Sequence, residues 1–516
     1  MNLIKFISIA ILLLLTSSVF SQGNSDLASI KWESGTKEKL RSNKINVLGE
    51  VGGSIYVLKL EDEAYQPSKF IINKYDSDLN LTNSSEIALK KGKKKSPYLG
   101  SLLMNGKIYV FSSIVEKNGS GRGKVHYYQT VDLESLKLND DAKEIFTLKQ
   151  KGLVGQILSN FEFKTSSDKS KILFTYDILN NNSSRTSYKC NVYDNTFKKL
   201  YSKKVTLTDQ IGDPQIFPDN NGNLYAVSLD FVGKHKYKRR GEPSYNFLIS
   251  KYSDLGEKVD KIPINIEGKD ILDMKVSVNK NGDLICGGVF SSTKSFNADG
   301  VFLLTLDAET NEIKSQSLED FKSDFISNSA RVNSGRAINN KDGGPDKYLF
   351  RYVFQDLHYF EDGSMIFIAE QYTDLAAGDT PVFLYGDLII VKSSNTGEIE
   401  WMNKIPKYQD CYFQDLDFGS YIAQKVNNKL AIIFNDHKDN FGKPIEEAFN
   451  AARNNKSVLQ TIDLDGNFDR TSLTNIDDLG AVLMPESVIR VDEKESLIFA
   501  KTRQNKNQKL GKVMFK

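Results

Sequence analysis

One short pattern recurs eight times along the chain and constrains its fold more than any other feature: a tight polar turn, one polar residue, then three mostly apolar ones. It reads Ser54-Ile55-Tyr56-Val57, Lys107-Ile108-Tyr109-Val110, Lys171-Ile172-Leu173-Phe174 and Asn223-Leu224-Tyr225-Ala226. It continues as Asp283-Leu284-Ile285-Cys286, Ser364-Met365-Ile366-Phe367, Lys429-Leu430-Ala431-Ile432 and Ser496-Leu497-Ile498-Phe499. Several of the turns ahead carry Asn-Gly or Asp-Gly (Asn105-Gly106, Asn221-Gly222, Asn281-Gly282, Asp362-Gly363), which supply the positive φ of tight hairpins. A second apolar strand follows in each copy, such as Phe247-Leu248-Ile249, then a shorter polar one, such as Val259 to Ile264. Another strand precedes each turn, such as Ile271 to Val278. Four strands per unit of roughly 60 residues cannot bury both faces of their sheet alone, so the units stack around an axis. The expected fold is all-β: a β-propeller of eight four-stranded blades. Seven blades follow only if one copy is degenerate, and the third and eighth copies have the poorest turns. A β-sandwich would not give eight like-spaced units, and a β-helix repeats over much shorter lengths.

The two ends of the chain predict how the ring closes. The eighth copy stops at its third strand, Lys512 to Lys516, while Ile30-Lys31-Trp32 stands before the first complete copy. The sixth copy's fourth strand reads Ile399-Glu400-Trp401, so the only two tryptophans, Trp32 and Trp401, fall at matching positions where a fourth strand is expected. Residues 28 to 34 are therefore expected to be the outer strand of the last blade, hiding its edge.

Residues 1–21 have the three parts of a secretory signal: Lys5, an apolar run from Phe6 to Leu15, and a small-residue stretch with Val19 and Ser21 ahead of a cut before Gln22. The run is about half the roughly 20 residues a membrane span needs, no Cys stands near the cut, and no later stretch reads as a transmembrane segment. Residues 22–516 are then expected to form a single exported, soluble propeller domain. Its three cysteines are too few for a disulfide framework and form no C-x-x-C, and Cys190 and Cys286 fall inside predicted strands. A net charge of +2 over 516 residues does not call for nucleic acid.

Insertions are unequally placed. They fall between second and third strands (Leu179 to Thr186, Val232 to Ser244, Thr373 to Leu384, Asp436 to Lys456) or between blades (Glu319 to Lys347). In an up-and-down blade these two connection types share one side of the disc, and long loops on a rigid scaffold are where binding is usually placed. Two insertions read as partly helical: Pro444 to Phe449, with Pro in the first turn and acids behind it, and Leu318 to Ile326, with Leu318, Phe321 and Phe325 at helical spacing. Their apolar residues are expected to cap the scaffold.

Candidate chemistry is sparse. The run Asp463 to Asp469 has oxygen ligands at alternate positions, but its glycine is misplaced for a calcium loop and it aligns with hairpin turns elsewhere, so no cofactor is expected. His437 and Asp439 open an insertion and offer a metal or general-base site, against the simpler reading of a solvated loop. The four histidines form no H-x-H or H-E-x-x-H, and no G-x-S-x-G elbow is present. Basic clusters at Lys90 to Lys95 and at Lys234 to Arg240, the latter with Lys236, Tyr237, Arg239 and Arg240, offer binding positions for an acidic partner.

The stretch Tyr385-Gly-Asp-Leu-Ile-Ile-Val-Lys through Gly397-Glu-Ile-Glu-Trp401-Met-Asn-Lys-Ile-Pro406-Lys resembles uncharacterised exported propeller-type proteins of Bacteroidota, and Phe20-Ser21-Gln22 fits the same group. The resemblance implies fold and export, and no activity. WD40 and kelch patterns fit less well, since no Trp-Asp dipeptide ends the strands. The chain ends in a blade strand, leaving no room for a C-terminal sorting domain, so a periplasmic or outer-membrane-associated location is expected. The expected function is a non-enzymatic binding scaffold that engages a protein partner of the cell envelope through its loop-rich face, as an accessory of an outer-membrane or secretion complex. The alternative is a glycan-binding or glycan-active propeller using the same face.

Overall fold

The computed structural model describes residues 23–24, 27–33, 42–61, 67–118, 121–139, 141–149, 161–178, 186–208, 214–231, 245–293, 297–307, 309–322, 325, 349–350, 352–377, 380–442, 449, 455–475, 480–492, 494–501 and 508–516. The expected leader, residues 1–21, lies outside them.

Eight antiparallel sheets follow one another, at 42–88, 98–149, 161–207, 216–264, 270–320, 352–405, 421–475 and 482–515, here blades 1 to 8. Each of the first seven supplies four strands in chain order, and every second strand pairs with both the first and the third. The period-two alternation of each strand sends successive side chains to opposite neighbours. In blade 5, Leu284 and Cys286 pack toward blade 4, while Ile285 packs toward blade 6. Eight apolar clusters join consecutive blades, and the last unites Val47, Ile55 and Val57 of blade 1 with Val482, Leu497 and Phe499 of blade 8. The fold is an eight-bladed β-propeller.

The fourth strand of blade 8 is Ala28–Trp32, antiparallel to Gln508–Phe515, with Ile30 opposite Val513 and Trp32 opposite Gly511. A Cβ on Gly511 would come within 2.7 Å of the Trp32 ring, so only glycine fits beneath the tryptophan. Gly23–Asn24 adds outside this strand. The ring is closed by its own N-terminal strand.

Two details of the repeat differ from the sequence reading. In seven copies the first apolar residue faces the preceding blade, but Leu497 faces blade 1, so the eighth copy is one residue out of step. A shift of one residue exchanges the two faces of a strand. Trp401 faces blade 7 from blade 6 and donates its indole N–H to Leu464 O at 2.9 Å, while Trp32 faces blade 7 from blade 8. The two tryptophans both lie in fourth strands, but by face the counterpart of Trp401 is Lys31. The Asn-Gly turns also divide: Asn105-Gly106 has positive φ at both residues (51° and 67°), whereas Gly222, Gly282 and Gly363 sit in longer turns.

Blade 2 buries a histidine. His126 stacks between Phe146 (4.5 Å) and Phe161 (5.1 Å), and burial, aided by Lys124, pushes its pKa down to about 3. Above pH 6.5 the imidazole is neutral in both folded and unfolded chains, and stability is unaffected. Below that pH the unfolded chain binds a proton that the folded chain refuses until about pH 3, so stability falls across this window. The loss should reach about 2 kcal/mol by pH 5. His126→Phe should flatten the dependence of the denaturation midpoint on pH between 7.5 and 5. Parallel pH profiles for the two proteins would refute this.

Candidate functional site

The two faces of the disc are built differently. On one face lie the connections between first and second strands, from Gly52-Gly53 and Asn105-Gly106 to 491–494, none longer than five residues. Several are locked by a side chain: Asp219 Oδ1 accepts from Asn221 N at 2.9 Å and Asn223 N at 2.8 Å, and Asn279 Oδ1 accepts from Asn281 N and Asp283 N. The other face takes the connections between second and third strands and those between blades, including the ones that leave Phe231, Asp320, Ile405 and His437 and return at Tyr245, Tyr352, Tyr421 and Asn455.

One connection reaches far across this elaborated face. After Ile405, Gln409–Tyr412 adds antiparallel to Val382–Tyr385 of blade 6, and a 3-10 turn, Phe413–Phe418, leads into blade 7. Cys411 and Phe418 are fully buried in the cluster that holds Val57 of blade 1 and Leu497 of blade 8. The segment therefore packs against blades 6, 7, 8 and 1 and forms a cover on this face. Phe449, within the Asp436 to Lys456 insertion, is buried in the same cluster, and its N–H donates to Tyr408 O at 2.9 Å.

Beneath this cover sits an ion pair that is wholly buried. Lys407 Nζ lies 2.7 Å from Glu370 Oε1, and both side chains are 0% exposed. Ser420 Oγ and Gln355 Nε2 donate to the other Glu370 oxygen at 2.6 and 3.1 Å. Lys407 also donates to Gln409 Oε1 at 3.0 Å and lies 5.6 Å from the Tyr385 ring. Gln409 donates in turn to Asn435 O, and Asn435 Nδ2 donates to Phe418 O and Leu483 O at 2.9 and 2.8 Å. Charges this deep need partners; Glu370 Oε1 has the Lys407 ammonium, and its second oxygen has two hydrogen-bond donors. The network fastens the cover to blades 6, 7 and 8.

The sequence candidates fall in different places. His437 ends the second strand of blade 7; its Nδ1 accepts from Asp439 N at 3.4 Å and lies 3.6 Å from the Asp439 carboxylate, capping a three-residue 3-10 turn. Neighbouring Asp436 is buried and accepts from Arg470 Nη2 at 2.6 Å and Asn440 Nδ2 at 2.7 Å. Burial raises the Asp436 pKa, against the opposing pull of Arg470. Lys236, Tyr237, Arg239 and Arg240 lie outside the described residues. Lys90–Lys91 pairs with Lys94–Lys95 in a small basic hairpin on the elaborated face, and Lys91 packs 4.6 Å from the Tyr127 ring. Asp463 accepts from Asp465 N and Asn467 N within the last hairpin turn of blade 7.

Several insertions are more ordered than loops. Thr373 to Leu384 continues the ladder of blade 6, in strands Met365–Ala377 and Thr380–Ser393, because its backbone groups pair across the hairpin. Leu318 belongs to the strand Ile313–Asp320, opposite Phe302, so sheet pairing overrides its helical spacing; Phe321 then stacks on Phe325 at 5.2 Å. Residues 444–448 lie outside the described residues.

Among the described residues, no three His, Cys, Asp or Glu side chains converge as metal ligands. All three thiols are buried, and burial pushes Cys190 and Cys411 up to about 12, so neither is an activated nucleophile. Sequence reasoning missed Glu370 and Lys407. The available signal was a carboxylate ending the apolar run Ile366-Phe367-Ile368-Ala369.

No family model and no curated protein matches the chain. Among solved structures it is similar to the WD40 domain of SCAP from fission yeast, at TM-score 0.38 and 7% identity, over 94% of this chain and 98% of that one. It is also similar to the β-propeller domain of the Trilobed protease from Pyrococcus furiosus, which has an open velcro topology (TM-score 0.35, 10% identity, 85% and 98% covered). A third is an α-L-arabinofuranosidase from Fusarium graminearum in complex with an iminosugar inhibitor (TM-score 0.31, 11% identity, 68% and 91% covered). At these scores the likenesses say nothing of ligand or activity.

Proposed function

We propose that this chain is an exported, non-enzymatic binding scaffold that engages a protein partner of the cell envelope through its elaborated face. The observation that supports the reading is the contrast between the faces. One is trimmed to short turns, while the other carries the long connections over a cover held down by the Glu370–Lys407 network. A rigid disc with one elaborated face is suited to holding a partner in a fixed orientation.

The test is capture by the mature chain from an envelope extract under mild crosslinking. It should run beside a variant whose 232–244 connection is replaced by a two-residue turn. Phe231 and Tyr245 already pair across that connection, so the ladder tolerates the replacement. A specific partner should be captured by the wild type and reduced at least tenfold by the replacement. Absence of any specific partner, or a mature chain found outside the envelope fraction, would overturn the proposal.

A further inference from the structure

A cavity of about 580 Å³ opens on the plain face, between the inner strands of blades 3, 4 and 5 and their first turns. Hydrogen bonds tie its walls together across the blades. Gln215 bridges blade 4 to blade 5 by donating to Met274 O at 2.6 Å and accepting from Val276 N at 3.0 Å. Lys164 Nζ ties blade 3 to blade 4 through Pro214 O at 3.1 Å. The turn tips are held by the Asp219 and Asn279 side chains, and Asn220 Oδ1 accepts from Ser167 Oγ and Asp168 N across the gap between blades 3 and 4.

The charge of the lining is mainly positive, three lysines against one aspartate. Lys164, Lys275 and Lys280 contribute three ammonium groups, and the amides of Asn220 and Asn281 stand among them. The one acid of the lining, Asp219, has its carboxylate engaged by Asn221 N, Asn223 N, Asn223 Nδ2 and the Tyr225 hydroxyl. Lys275 and Lys280 are exposed and make no salt bridge among the described residues; Lys275 interacts electrostatically with the buried Asp273 two residues away. Amines and amides around a rigid cavity form a donor-rich surface, which suits an anion able to accept several hydrogen bonds at once.

We infer that this axial cavity binds a small anionic ligand bearing a phosphate or sugar-carboxylate group. It lies on the face opposite the one assigned to a protein partner, so the two readings stand or fall separately.

The experiment is calorimetric titration of the mature chain at low salt, once with inorganic phosphate and once with galacturonate. At least one should bind saturably, and K275Q/K280Q should weaken that binding at least tenfold. The single change K280E, at an exposed turn tip, should abolish it. K93Q/K94Q, in the basic hairpin of the other face, should leave it unchanged. Saturation with phosphate alone would assign a phosphate group, and saturation with galacturonate alone an acidic sugar. Binding of neither anion, binding that survives K275Q/K280Q, or equal loss in K93Q/K94Q would overturn the inference.

Discussion

Deletion of residues 23–33 should destabilise the whole propeller rather than fray one edge. Ala28 and Ile30 are fully buried and Trp32 nearly so, packed on Val513, Phe515 and, in blade 7, Leu473. Burial of the isoleucine and tryptophan alone contributes on the order of 3–6 kcal/mol, before any loss of ladder hydrogen bonds. Domains are typically stable by only about 5–15 kcal/mol, so the truncation should remove most of the margin. It also bares the edge of Gln508–Phe515, which then invites pairing with another chain. The check is denaturant unfolding of the truncated chain with and without a synthetic peptide of residues 23–34. The midpoint should fall sharply and recover in excess peptide. Midpoints for truncated and full-length chains that coincide would show that the ring does not depend on this strand.

Lys407→Met should be the most damaging single substitution on the elaborated face. It leaves the Glu370 carboxylate at 0% exposure with Ser420 and Gln355 as its donors among the described residues. Breaking a buried pair in this way typically costs about 3–5 kcal/mol. Combining it with Glu370→Leu removes the stranded charge, and the double variant should recover part of the loss. Recovery stays partial because Ser420 Oγ and Gln355 Nε2 lose their acceptor. A second readout reports on the cover itself. Cys411 lies within it and is fully buried, so K407M should speed modification of this thiol while Cys190 and Cys286, in blades 3 and 5, stay protected. A K407M variant within about 1 kcal/mol of wild type, or no change in Cys411 labelling, would refute the role given to the pair.

The plain face shows why some of the site could be read early. Its turns are local, and Asn105-Gly106 or Asp219 to Asn223 carries its conformation within a few residues. Other features are set by residues far apart in the chain. Lys407 meets Ser420 only through Glu370, and Phe449 joins a cluster with Val47 and Val482, so no spacing rule exposes them. The cavity lined by Lys164, Lys275 and Lys280 is likewise assembled from three blades.

The sequence by itself determined the strand pattern, the count of eight blades, the closing N-terminal strand and the face that carries the insertions. Those properties follow from period-two alternation and turn chemistry, which act over a few residues and repeat. Only the tertiary structure decided which way each strand faces in the eighth blade, that Trp32 and Trp401 flank blade 7, and that Glu370 and Lys407 are buried together. A one-residue shift leaves local composition unchanged yet exchanges the faces of a strand. Burial of a charge likewise depends on partners that arrive only when distant blades close into a ring.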